Sequence, residues 1–366
     1  MVNRMIFENV LHRPVRTVIS ILAVALEVAM VLLVVGMTHG LLNEAAKRVE
    51  GVGADVMVQP PGSSFLLGLT GAPMPIKIAD RIAELPHVLA VTPVLLQFNT
   101  TGGLNLIYGI DMAGFDRVSG GFVYYSGGPL KGSDDMLVDD WYAKANHLKV
   151  GETVNLKNHD FHLVGIVQHG KGARIFIPLQ TAEDMTASHN QANIFFVKST
   201  DPGYTDDIVS EIRQLFSTYQ IHSIREYMSL MTSNNLPALN TFIAALIAIA
   251  VVIGFLVIFL SMYTTITERT REIGILKSLG ASKAYIIGII LRETTLLAII
   301  GIVVGCVGAF VVKKVILAAF PTLSVDLTWD WSARAAALAL VGSLVGAFYP
   351  ALGAARLDPV DALAYE

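Results

Sequence analysis

Between Val18 and Met37 the chain runs for twenty residues with a single charge, Glu27. A helix of that length covers about 30 Å, the thickness of the hydrocarbon layer of a bilayer. Three further stretches, Phe242–Tyr263, Thr294–Val312 and Ala335–Ala355, carry no charge at all. With only 15% charged and 53% hydrophobic residues, the chain falls well short of the charge of a soluble domain. Four membrane spans are therefore expected. Arg4, Arg13 and Arg16 ahead of the first resemble a signal-peptide n-region, but the apolar stretch is too long and no A-x-A site follows, so it reads as an uncleaved anchor.

Lys and Arg in short loops set orientation. Arg4, Arg13 and Arg16, then Arg269, Arg271, Lys277 and Lys283, then Arg356 fall on one side of a four-span chain, which is read as cytoplasmic. Lys313 and Lys314 run against that assignment, with Asp326 and Asp330 following them. The expected fold is an α-helical integral membrane protein with four transmembrane helices and an inserted extracytoplasmic α+β domain between helices 1 and 2. Its segments are a cytoplasmic amphipathic stretch 1–17, span 18–40, domain with stalk 41–236, span 237–264, cytoplasmic helix 265–283, span 284–313, outer loop 314–332, span 333–355 and cytoplasmic tail 356–366. Residues 41–236 hold 14 Lys and Arg against 20 Asp and Glu, as suits a solvated domain.

Within that domain, alternating and apolar runs predict strands at Asp55–Gln59, Leu104–Ile110, Thr153–Leu156, Phe161–Val167, Arg174–Ile177 and Ile194–Lys198, punctuated by Gly51, Gly53, Gly102, Gly103, Gly151 and Gly170. Helical spacing predicts helices at Ile78–Leu85 and Asp206–Tyr219. Leu41, Leu42, Ala45, Ala46 and Val49 keep a helical period past the first span, and Ile224–Leu236 leads into the second; each reads equally as a stalk or as a short helix ending near the membrane. Gly62–Pro75 reads as a mobile loop.

Little in the chain suggests chemistry of its own. The formal charge of -4 gives no basic excess for nucleic acid. One cysteine, Cys306, allows neither an intrachain disulfide nor a cysteine-rich zinc site. G-x-x-x-x-G-K-[ST] and H-E-x-x-H are both absent, so ATP hydrolysis is expected from another chain. His147, His159, His162 and His169 cluster in sequence, but a strand sends His159 and His162 to opposite faces, and they read as surface histidines. No nucleophile and base pair supports an intramembrane enzyme. Glu27 costs about 2.5–3.5 kcal/mol at a helix centre. It reads as hydrogen-bonded to a Ser or Thr of a neighbouring helix, the alternative being a polar contact in a substrate path or proton-linked switch.

The connection between spans two and three is the most informative stretch. Thr267 to Lys283 reads as a short amphipathic helix, with Arg269 and Glu272 in i,i+3 register and Ile273, Leu276 and Leu279 on another face. Gly280 suits a C′ position and Ser282 the N-cap of the next helix. Such a strip fits a partner's groove or the lipid headgroups, and the pattern leaves both open.

The run ERTREIGILKSLGAS, together with YPALGAARLDPVDALAYE at Tyr349–Glu366, resembles the permease subunits of the MacB/FtsX-like ABC transporter superfamily. GADVMVQP, LIYGID, GETVNL and IFIPLQTAEDM resemble that family's periplasmic core domain. The resemblance implies a multi-pass protein of the bacterial inner membrane with both termini cytoplasmic. It also implies a non-catalytic chain paired with a second copy or a related permease, and two separately encoded ABC ATPase subunits that bind ATP and Mg. The middle connection then acts as a coupling helix on the ATPase, at Glu268, Arg269, Arg271, Glu272, Ile273, Gly274, Lys277, Leu279, Gly280 and Ala281. Family members move their outer domain to export lipids, lipoproteins, peptides or drug-like molecules, some with a membrane-fusion adaptor. Others signal to a cell-wall hydrolase without transport. Membrane lipids are expected partners of the chain, nucleic acid is not, and no metal or cofactor is expected in it.

Overall fold

The computed structural model describes residues 14–63, 71–99, 105–231 and 237–358. Arg4, Arg13, half of the expected loop at Gly62–Pro75 (residues 64–70), the glycines Gly102 and Gly103, and the tail beyond Asp358 lie outside the described residues. The chain forms two compact units. One comprises Gly40–Leu236 with Ala319–Ser324; the other comprises the remaining helical segments.

The first helix, α1 (Pro14–Glu50), contains the first expected span and continues well past it. Leu42, Ala45, Ala46 and Val49 are buried, and Ala45 and Val49 belong to the core of the inserted domain. This end of α1 is a packed wall of the domain, not a free stalk, because its small and branched side chains meet the sheet.

The domain follows as β1 (Val56–Gln59), β2 (Met74–Pro75), α2 (Lys77–Ala83), β3 (Val88–Asn99), β4 (Asn105–Ile110), α3 (Met112–Ser119), β5 (Tyr124–Gly127) and β6 (Asp135–Asp139). It continues with α4 (Asp140–Ala145), β7 (Thr153–Leu156), β8 (His159–Val167), β9 (Ile175–Pro178), α5 (Leu179–Thr186), β10 (Gln191–Ala192) and β11 (Ile194–Ser199). α6 (Thr205–Leu215), β12 (Gln220–Ser223) and α7 (Ile224–Leu230) complete it. Among the described residues, ten strands form one mixed sheet in the order β12-β1-β11-β3-β4-β9-β6-β8-β5, with β7 on β8. The β4–β9 and β6–β8 pairs are parallel.

Helices cover both faces of this sheet, which is why its strands read as unbroken apolar runs. Val56, Val58, Phe195 and Val197 pack with Ile82 of α2 and Ile208 and Ile212 of α6. Met57, Tyr108, Phe176 and Phe196 face the other way, toward Phe115 of α3 and Val49 of α1. β3, which sequence patterning does not isolate, contains Pro93. Val94 turns its carbonyl to Asn193 of the β11 side, so the nitrogen of Pro93 points to the opposite edge, where the β4 ladder begins only at Val94. The proline therefore interrupts no ladder bond. α6 ends at Leu215 rather than at the expected Tyr219, and the chain then turns into β12.

The helical unit adds α8 (Pro237–Glu268), α9 (Thr270–Ser278), α10 (Lys283–Ala319) and α11 (Trp329–Arg356) to α1. α1, α8, α10 and α11 are long and apolar enough to cross a membrane. α10 runs six residues past the expected end of its span at 313, and Ala319–Ser324 of the expected outer loop cluster with the inserted domain. Between helices in lipid, small residues permit close packing. A Cβ on Gly301 would lie 2.6 Å from Val24 Cβ, and one on Gly305 2.6 Å from the Ala25 carbonyl oxygen, so the G-x-x-x-G of α10 seats α1. α1 and α8 also share a hydrogen bond between Ser20 and Ser261 hydroxyls at 2.6 Å. Pro350 is buried inside α11.

Candidate functional site: the elbow between the second and third spans

α9 is set off from α8 by Arg269, whose backbone leaves helical geometry (φ -108°, ψ 15°). The Arg269 side chain ties the corner. Its Nε donates to Glu272 Oε2 at 2.8 Å, and its Nη1 donates to Glu293 Oε2 at 3.3 Å across on α10. Glu293 is 2% exposed, so its charge is held by an ion pair inside the bundle. A cavity of about 40 Å³ lies beneath, lined by Ile266, Arg269, Ile273, Leu276 and Glu293 among others.

At its other end α9 stops in a glycine turn. The Ala281 N–H donates to the Leu276 carbonyl at 3.0 Å and the Gly280 N–H to the Lys277 carbonyl at 3.0 Å, with Gly280 at φ +92°. These two bonds make a Schellman cap, whose C′ position favours a residue without Cβ. Ser282 Oγ then accepts from the Tyr285 N–H at 3.2 Å and caps α10.

The residues singled out from sequence divide between two surfaces. Ile273 and Gly274 are buried, Leu276 packs against the membrane core, and Ala281 joins it in part. Lys277 Nζ donates to the carbonyls of Ala355, at 3.0 Å, and Leu357, so it ties α9 to the end of α11. None of these forms a free docking strip. The exposed surface includes Glu268, Arg271, Glu272, Ile275, Ser278, Leu279 and Gly280, with Ile275 45% and Leu279 79% exposed. The apolar strip offered outward is thus Ile275 and Leu279, flanked by Arg271 and Glu272, not Ile273, Leu276 and Leu279. Helical periodicity shows that faces exist; which one is covered depends on α10 and α11. Ile275 and Glu293 were missed for that reason.

Glu27 is buried at 6% exposure, and its Oε1 finds no hydrogen-bond partner among the described residues. The expected Ser or Thr contact is not made among the described residues. Its carboxyl instead fills the space left by Gly254 of α8. In the domain, His159 Nε2 lies 2.9 Å from Asp134 Oδ1 and His162 lies near Thr153, each histidine with its own partner. The hydrogen bond from His159 holds the Asp134 carboxyl below its ordinary range. Among the described residues no group of three His, Cys, Asp or Glu is placed to hold a metal.

Four apolar helices able to cross a membrane, a mixed-sheet domain inserted after the first, and a capped elbow between the second and third make up the architecture. The family described as MacB-like periplasmic core domain matches residues 17–215, more than half of the chain, and that described as FtsX-like permease C-terminal matches 244–359. The chain belongs to this family of MacB-like and FtsX-like ABC transporter permeases and is a multi-pass protein of the inner membrane.

Its relatives include the macrolide export ATP-binding/permease protein MacB of Shewanella sp. (strain W3-18-1), 25% identical over 97% of this chain and 59% of the relative. The protein of that name from Sodalis glossinidius is 26% identical over 97% and 59%. The chain thus spans about 59% of the length of these relatives. Among solved structures, the periplasmic region of MacB from Actinobacillus actinomycetemcomitans aligns with TM-score 0.39 and 17% identity, over 50% of this chain and 95% of that one. The extracellular domain of the noncanonic ABC-type transporter YknZ from Gram-positive bacteria aligns with TM-score 0.36 and 11% identity, over 46% and 100%.

Proposed function

We propose that this chain is the non-catalytic membrane subunit of an ABC transporter, working with a second permease copy or a related permease. In this reading the exposed strip of α9 seats in a groove of a partner ATPase, which binds ATP and Mg. Nucleotide-driven movement of that partner then displaces the outer domain and exports a lipid, lipoprotein, peptide or drug-like molecule. The observation that carries the reading is the form of the elbow. Ile275 and Leu279 are presented outward by a helix pinned at both ends, through Arg269 to Glu293 and through Lys277 to the end of α11. A nine-residue helix left to itself does not hold its shape in water, so the pins suit a surface that must transmit force.

Two measurements test this. Purification of the tagged chain from native membranes should bring an ATPase with it. Leu279→Cys in a Cys306→Ser background should react with an impermeant maleimide only in inverted vesicles. Labelling of position 279 from the side that carries the inserted domain overturns the assignment.

A further inference from the structure

The domain holds a buried set of charges that the elbow does not use. Arg174, immediately before β9, has 4% of its side chain exposed. Its Nη2 donates to Glu44 Oε1 at 2.9 Å and to the Thr322 carbonyl at 2.9 Å, and its Nη1 donates to Asp139 Oδ2 at 3.2 Å. The guanidinium also lies 5.4 Å from the centre of the Trp141 ring. Glu44 is shared with Arg48, whose Nε lies 3.3 Å away.

These partners come from three places in the chain. Glu44 is on the domain end of α1, Asp139 closes β6 and caps α4, and Thr322 lies in the connection between α10 and α11. Glu44 and Thr322 stand 130 and 148 residues from Arg174. A buried arginine is costly unless its planar donors are satisfied together, and a lysine cannot offer this fork. The position therefore demands that all three segments stay where they are. Ala319–Ser324 accordingly cluster with the domain rather than with the helices they connect.

We propose that Arg174 is a positioning residue that makes the α10–α11 connection part of the outer domain. The domain is then tied to the spans at a further point besides the ends of α1 and α8, and displacement of α10 or α11 reaches the sheet through this guanidinium. The tie is independent of the transporter reading; its use in transport rests on that reading.

The test uses the whole chain in lipid nanodiscs without any ATPase, in a Cys306→Ser background. Spin labels are placed at Phe320→Cys on the connection and at Tyr125→Cys on β5. Electron-electron distance measurements should give one narrow distribution. Arg174→Ala should broaden it to at least twice the width, while a control pair within the domain, Leu89→Cys with Tyr125→Cys, stays narrow. Thr322→Ala, which keeps the carbonyl, should change nothing. A narrow distribution retained in Arg174→Ala, or a broad one already present with Arg174 in place, overturns the proposal. If the alanine variant does not assemble, Arg174→Lys decides: it keeps the charge and loses the fork, so broadening supports the tie and an unchanged width refutes it. A failed co-purification of an ATPase would leave this result standing and would count only against the transporter reading.

Discussion

Glu27 and Gly254 occupy a single notch between α1 and α8: a Cβ on residue 254 would lie 1.8 Å from Glu27 Oε2. In this position the carboxyl takes the space that a side chain on residue 254 would fill. Gly254→Ala should therefore displace the Glu27 carboxyl, the far end of a flexible side chain, at a cost of about 1 kcal/mol. Glu27→Ala in the same chain should relieve it, whereas Glu27→Gln, of the same size, should not. Thermal unfolding of the purified chain in detergent checks this; equal destabilisation in Gly254→Ala with and without Glu27→Ala would refute the shared notch.

The two faces of α9 should respond differently to the same substitution. Leu279→Asp adds a charge to a residue already in solvent and should leave stability within about 0.5 kcal/mol, while abolishing ATPase co-purification. Ile273→Asp buries a charge in the bundle core and should lower the melting temperature of the chain itself. If both variants lose stability alike, the outward face has been misassigned.

Glu293 supports the corner through Arg269. Glu293→Ala leaves Arg269 paired only with the exposed Glu272, so the loss of this charge-assisted hydrogen bond should cost about 1.5–3 kcal/mol. Hydrogen exchange across residues 269–278 should accelerate in this variant before that of α8 or α11. Unchanged exchange there would mean that Arg269 is held by Glu272 alone.

Burial pushes the Asp139 carboxyl up to about 6, against the opposing pull of Arg174 and of the Tyr142 N–H. A folded-state value above the unfolded one means that the folded domain binds the proton more tightly. The group's favourable contribution is complete below about pH 4 and is lost as pH rises through about 6. The shift corresponds to roughly 3 kcal/mol across that window. Asp139→Asn should flatten the stability profile between pH 4 and 7, as followed by urea titration of domain fluorescence; a profile parallel to that of the unsubstituted chain would exclude Asp139 as the source.

Legibility from sequence followed the range of the interaction. The spans declare themselves through hydrophobicity, and Gly280 and Ser282 mark their turn because cap chemistry is local. Thr153–Leu156 appears with the bounds its pattern implies, since its neighbours are turn residues on both sides. β6, with sequence DMLVD, is not among the strands that patterning isolates, since aspartates open and close it; Asp139 is there to cap α4 through the Tyr142 N–H at 2.6 Å. The covered face of α9 and the partners of Arg174 depend on segments far along the chain, and no periodicity encodes them. Glu27 was legible as an anomaly but not as half of a pair, because its counterpart is the absence of a side chain.

Pro350 lacks the amide hydrogen that would bind the carbonyl of Gly346 one turn back. The rod containing it is thus unlatched at one rung, and Lys277 grips its far tip at Ala355 and Leu357, beyond that rung. A tug on the elbow would swing the tip like a hinged bracket before it dragged the whole rod.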